Sequence, residues 1–402
     1  MALLVRAKAI VTCDTDAAQN GITFEQLGLI PNGTMLIDDG GIVAACHGEQ
    51  VRHPERPDVL DLTGCVIVPG FVDAHTHPLF AGNRSEDFRA RNEGREPPQG
   101  MLYTVRETRK ALDDAGAFWE TVAGRLKLML AHGTTTAEVK TGYALTAAGE
   151  LQLLDLINAH KDDAALPRLI ATVLGAHALP PEFNDEKTYV DHLVAELLPK
   201  AKQHGAVYAD AFCEPGFFSP AVTKSFLEAA RSNGLRLRVH CDEMAYGGAA
   251  AMAARVGVDA ADHCNYIREE DARALAGSGT VVVACPATIA YLGLTQHAPV
   301  RKFLENGGRV ALASDYNPGT SPCFNMQTVA YYGRRIFGLT AAEALYATTR
   351  AAAQSLRVDA GRIAPGLRAD FVALRLDSAQ EFGWEFGGNL AAAVFRGGLR
   401  AA

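Results

Sequence analysis

The sequence predicts an α/β protein: a (β/α)8 TIM-like barrel plus a small β-sandwich-like domain built from both termini. Three observations lead there. Eight short β-branched or apolar runs fill the middle of the chain. Helix-like segments separate most of them, the signature of a parallel sheet that eight units can close. Both chain ends are β-rich, and neither is long enough to make a sizeable core alone, so the two are expected to pair. The expected division is 1–65 and 358–402 for the small domain and 66–357 for the barrel.

The elements follow in order. MALLVRAKAIVTC alternates as a first strand, and MLIDDGGIVAACHG reads as two strands around an Asp39-Gly40-Gly41 turn. No helical period is expected before about residue 100. The barrel runs are VIVPGFVDAHTH, TTTAEVK, RLIATVLGAHA, VYADAFCE, LRLRVHCDE, DAADHC, TVVVACP and RVALASD. Between them lie AFWETVAGRLKLMLAHG, AAGELQLLDLINAHK, YVDHLVAELLPKAKQHG, AVTKSFLEAARSNG, DARALAGSG and APVRKFLENGG, several ending in the glycine that commonly stops a helix. Residues 92–100, NEGREPPQG, form a polar loop after the first barrel strand. ADFVALRLD and NLAAAVFRGG close the chain as strands.

Composition narrows the function. With 48% hydrophobic and 21% charged residues, the chain is an ordinary globular protein. A net charge of −8 argues against nucleic-acid partners and against an anionic membrane surface. Arg6 and Lys8 interrupt the apolar start, so no signal-peptide core is read and the expected location is cytoplasmic. Eight cysteines without a CxxC spacing read as reduced, mostly buried thiols.

Active-site residues of a parallel barrel come from the C-terminal ends of its strands. Those ends carry His75, His77, Lys140, His177, Glu214, His240 with Glu243, His263, Cys285 and Asp315. In His75-Thr76-His77 the imidazoles are two positions apart on a strand and so point the same way, into the barrel mouth. His240 ends a strongly alternating strand, and a carboxylate such as Asp315 buried beside histidines needs a partner or a cation. Three histidines and one carboxylate fit a divalent metal such as zinc, with room for a water.

This ligand pattern resembles the amidohydrolase superfamily. The segments HTHPLFAGNRSEDF, EVKTGYAL, LGAHALP, DAFCEPGFF, HCDE, ADHC and ASDYNPGTSP are similar, in that order, to the imidazolonepropionase family within it. Two positions depart from that pattern: Ala144, where the family tends to have glycine, and Cys285-Pro286, where it tends to have Leu-Pro. Neither is expected to touch a ligand. Glu214 ends the fourth strand, where two-metal members carry a carboxylated lysine. The resemblance therefore implies one zinc or one iron ion per chain, held by His75, His77, His240 and Asp315. It implies hydrolysis of 4-imidazolone-5-propanoate, the small-molecule partner, with Glu243, His263 and Asp315 catalytic and the main base left open between Glu243 and Asp315. It places Arg84, Tyr143, His177, Glu243, Asn317, Gly319 and Thr320 around the substrate, with Arg84 on its propanoate carboxylate. Lys140 is expected to pair with Glu138 or Glu214. A homodimer is implied as well.

Three rivals remain open. A purine or pyrimidine deaminase would share the ligands and Glu243 but would not need Arg84 for a carboxylate. A non-haem iron oxygenase would leave more metal positions open than five strand-end histidines suggest. A barrel that had lost its metal and served only for binding would show a broken ligand set.

Overall fold

The computed structural model of the chain describes residues 2–47 and 57–402. It begins with β1 (Leu3–Val11), β2 (Leu29–Pro31), β3 (Gly33–Asp38), β4 (Gly41–His47) and β5 (Asp58–Pro69). β1 lies between antiparallel β3 and parallel β5. The β3–β4 hairpin turns on two residues rather than three: Asp39 and Gly40 have φ of 47° and 76°, the left-handed pair of a type I′ turn, and Gly41 is already strand. Gly48, the last residue of the expected hairpin, lies outside the described residues.

The barrel follows as β6 (Phe71–Asp73), β7 (Thr134–Lys140), β8 (Arg168–Ala176), β9 (Tyr208–Cys213), β10 (Arg236–Cys241), β11 (Ala260–His263), β12 (Val281–Ala284) and β13 (Arg309–Leu312). All are parallel and neighbours in sequence order, and each falls within one of the eight expected runs. The ring meets itself just beyond β13 and β6. Thr76 bridges Tyr316, the Asp315 N–H donates to the His75 carbonyl at 3.0 Å, and Ser314 donates from its N–H and hydroxyl to Asp73 at 3.0 and 2.5 Å.

Then β14 (Phe371–Leu374), β15 (Ala391–Arg396) and β16 (Leu399–Arg400) return to the first sheet, β14 pairing with β5. The chain ends thus share one mostly antiparallel sheet of eight strands, with Val5, Ile10, Met35, Ile67 and the stacked Phe371–Phe395 pair in its core. Val66–Pro69, expected as the start of the first barrel strand, belongs to this sheet and pairs with β14. The change of sheet falls at Gly70, where an added Cβ would stand 2.1 Å from Thr135 Oγ1, so only glycine lets the backbone cross there.

The expected helices form, with two differences. The segment expected as one helix over 189–205 divides into Glu186–Glu196 and Leu198–Ala201, because Pro199 has no N–H to continue the first. Ser85–Asn92 is helical although no period announces it: only Asp87 and Ala90 are buried, so it has no apolar stripe. No helix among the described residues is long and apolar enough to cross a membrane. Seven cysteines are described, all free, six of them buried and Cys323 half-buried; the Cys46 side chain lies outside the described residues.

Candidate active site

The stretch just past β6 delivers His75 and His77, β10 delivers His240, and the turn after β13 delivers Asp315. The four side chains converge and are almost wholly buried. His75 Nε2 lies 3.1 Å from His77 Nε2, which lies 3.4 Å from His240 Nε2. Asp315 Oδ1 lies 3.4 Å from both His75 Nε2 and His77 Nε2. His75 Nδ1 is tied back by a hydrogen bond to Asp262 Oδ2 at 2.7 Å, and His240 Nδ1 faces Asp210 Oδ2 at 3.1 Å without hydrogen-bond geometry. A carboxylate at Nδ1 keeps the proton there and turns the Nε2 lone pair inward. Facing lone pairs at these distances repel unless an electrophile sits between them, so the donor set fits a divalent cation. Thr288 Oγ1 donates to Asp315 Oδ2 at 2.7 Å and leaves Oδ1 to face the imidazoles.

Beneath the imidazoles lies a wholly buried layer of charge that the motifs do not announce. Lys140 donates to Glu138 at 2.8 Å and Asp210 at 2.7 Å, and lies 3.5 Å from Asp262. Arg238 donates to Asp262 Oδ1 at 2.9 Å and to the Ala74 carbonyl at 2.8 Å. Burial works against the Lys140 ammonium, but Asp210 and Glu138 hold its pKa above the usual value. Glu138, one of the two alternatives expected, is therefore the Lys140 partner, and Asp210 is a second partner not singled out from the sequence. The available signal was an acid inside an apolar strand, as in YADAFC and AADH, which must have a partner.

Above the imidazoles opens a cavity of about 230 Å³. Arg84, Tyr143, His177, Glu243, His263 and Thr320 face it, and so do Phe212 and Phe217, two aromatic walls not singled out from the sequence. Glu243 Oε2 stands 3.7 Å from His263 Nε2. Burial, with Asp315 and Glu214 nearby, pushes the Glu243 carboxyl well up. Burial pushes the His263 imidazole down to about 3, so it is neutral, and neither of its ring nitrogens has a hydrogen-bond partner. His177 Nδ1 donates to the Gly142 carbonyl at 3.0 Å, which leaves Nε2 as an acceptor. His177 stacks on His77 at 5.3 Å without joining the ligand cluster. His263 and Asp315 hold left-handed φ values of 68° and 52°, a strain that concentrates at working sites.

Three buried carboxylates aim the loops. Glu150 accepts the N–H groups of Gly142, Ala144 and Leu145 around Tyr143 at 2.7, 2.9 and 2.7 Å. Glu214 accepts those of Glu243, Met244 and Ala245 at 2.8, 3.0 and 2.7 Å. Asp87 accepts those of Gln99 and Gly100, and also the Arg84 Nε–H at 2.7 Å. Gly319 admits Arg84, since a Cβ there would lie 2.2 Å from its Nη1. Asn317 faces the cavity, but its amide is spent on its own turn: Nδ2 donates to the Asp315 carbonyl at 2.7 Å, and Oδ1 accepts the N–H groups of Gly319 and Thr320 at 2.8 Å. Cys285, expected to stand clear of any ligand, lies beside His75 and His263.

A family model described as "Amidohydrolase family" matches residues 66–399. The imidazolonepropionase of Acinetobacter baumannii (strain ACICU) is 37% identical over 380 residues, covering 90% of this chain and 94% of its own. That of Methylobacterium nodulans is 38% identical over 387 residues, covering 92% and 94%. The chain belongs to the amidohydrolase family, among the imidazolonepropionases. An atrazine chlorohydrolase from Arthrobacter aurescens TC1, solved with zinc, shares the fold at a TM-score of 0.75 and 19% identity, covering 99% of this chain and 94% of that one. Within this amidohydrolase, His75, His77 and His240 form one group that Asp315 Oδ1 meets at 3.4 Å, and the expected substrate residues line or shape one cavity above them.

Proposed function

We infer that this amidohydrolase opens the ring of 4-imidazolone-5-propanoate, giving N-formimidoyl-L-glutamate in histidine degradation. The likeness to imidazolonepropionases along most of the chain carries the reading. The cavity supports it: Arg84, seated by Asp87, shares that space with the imidazole cluster and offers the fork geometry that suits a carboxylate. A purine or pyrimidine deaminase would have no use for that arginine.

His75, His77, His240 and Asp315 would hold one divalent cation, zinc or iron, whose chemistry when bound is to bring the pKa of water toward neutrality. In the reaction, water oxygen bonds to the ring carbonyl carbon, the amide carbon–nitrogen bond breaks, and one water proton ends on the departing nitrogen. Glu243 and Asp315 are the two carboxylates placed to accept the water proton. Glu243, whose carboxyl is held up by burial, is suited to return it to nitrogen. His263, neutral and without a hydrogen-bond partner, donates to the carbonyl oxygen as charge builds there. His177 Nε2 accepts a ring N–H, Tyr143 and Arg84 hold the propanoate, Thr320 adds a hydroxyl, and Asn317 and Gly319 keep the turn beside Arg84. Phe212 and Phe217 keep water from that side. We further propose a cytoplasmic homodimer, checked by fractionation of the source cells and by sedimentation.

The test is elemental analysis of the purified protein and loss of the imidazolone ultraviolet band, with and without a chelator. Chelator-sensitive turnover with one metal per chain supports the reading and names the metal. One metal without turnover on imidazolone but with turnover on guanine or cytosine overturns the substrate.

A further inference from the structure

The hydrolytic set does not exhaust the soft donors at the barrel mouth. Cys285 follows β12 and is 1% exposed. Its Sγ makes only a long contact, 3.9 Å to the Val283 carbonyl. One donor atom each from His75, His263 and Cys285 lie within 4.8 Å of one another. His263 is 1% exposed, and neither of its ring nitrogens has a hydrogen-bond partner in the protein. Among the described residues, Cys285 is the one cysteine that joins such a group. A buried thiol usually behaves as a small hydrophobe; this one stands against two imidazoles.

We propose that His75, His263 and Cys285 form a second position for a soft divalent cation, in competition with the hydrolytic position. Two imidazoles and a thiolate suit zinc and, more strongly, thiophilic ions, whereas three imidazoles and a carboxylate suit zinc and iron. The competition follows from His75. Its Nδ1 is bound to Asp262, which leaves one nitrogen to offer, and His75 belongs to both sets. Binding at the second position exchanges the Sγ–H proton, released to solvent, for an Sγ–metal bond. The cation is then drawn away from His77 and His240, so thiophilic ions inhibit by misplacement. The competition rests on the metal-site reading above; the thiolate bond does not.

The experiment titrates the full-length apoprotein with cadmium ion and follows thiolate-to-cadmium charge-transfer absorption in the ultraviolet. The wild type is expected to develop the band and to saturate at one equivalent. Cys285→Ser and Cys285→Ala are expected to lose the band while still binding one equivalent, read by dialysis and elemental analysis, and to melt as folded proteins. The absence of a band in the wild type overturns the site, as does a band that survives in both variants. Saturation at two equivalents overturns the competition. Failure of the imidazolone assay leaves these readouts unchanged, so the two readings fail separately.

Discussion

The layer below the imidazoles and the rim above them are built by different means. Below, Lys140, Glu138, Asp210, Asp262 and Arg238 hold one another by side-chain ion pairs, Lys140–Glu138 within β7 and the others between strands, and all are fully buried. Above, Glu150, Glu214 and Asp87 act on loop backbone, each accepting two or three N–H groups. A buried ion pair leaves an uncompensated charge when one partner goes, whereas a loop released from a carboxylate can turn some of its N–H groups to water. The lower layer therefore resists substitution as a unit, while the rim adapts one loop at a time.

Substitutions ranked by effect test that contrast. Lys140→Met takes the ammonium from the buried Glu138 and Asp210 carboxylates and is expected to cost about 3–5 kcal/mol of stability. Metal content should fall with it, because Asp210 and Asp262 orient two of the ligands. Urea unfolding and elemental analysis check both, and a loss as mild as any rim variant's would break the contrast. Next come Arg84→Ala and Gly319→Ala, each removing about 1.5–3 kcal/mol of charged hydrogen bonding to substrate. Both should appear as a raised KM, and Arg84→Ala should also lower the melting temperature because it leaves the buried Asp87 carboxylate without its guanidinium; a fall in kcat at unchanged KM would remove Arg84 from substrate recognition. Glu150→Gln keeps one acceptor oxygen and sets an amide NH2 against backbone donors. It should cost about 1–2 kcal/mol, seen in kcat/KM through Tyr143. Smallest is Lys187→Ala, which breaks an exposed helix pair with Asp191 and should leave melting and activity unchanged.

How much of this could be read in advance differs along the chain. The eight barrel strands were readable because a buried parallel strand is a short apolar run, and its polar end residue marks the mouth. His75 and His77 were readable because they close the first run at the mouth, although the strand itself stops at Asp73 and both lie just past it. The helix Ser85–Asn92, which carries Asp87 to the Arg84 guanidinium, was hidden because it has no apolar stripe to give a period. The sheet change at Gly70 was hidden because Val66–Pro69 is as apolar as any barrel strand, and only its partner β14 tells which sheet it joins. Asn317 was readable as a site position but not as the brace of its own turn, which depends on hydrogen bonds seen only in the folded loop.

Local pattern alone was enough for the barrel class, for the order of its eight strands and for which polar residues end them. Those properties come from periodicity and from which residue ends each run, and both are local. Which charges meet was decided by folding. Asp262 reaches His75 across 187 residues and Lys140 reaches Asp210 across 70, so no spacing in the sequence encodes either contact. A buried charge demands a partner, but the closure of the barrel chooses which one, because only closure brings the ends of distant strands within hydrogen-bond reach.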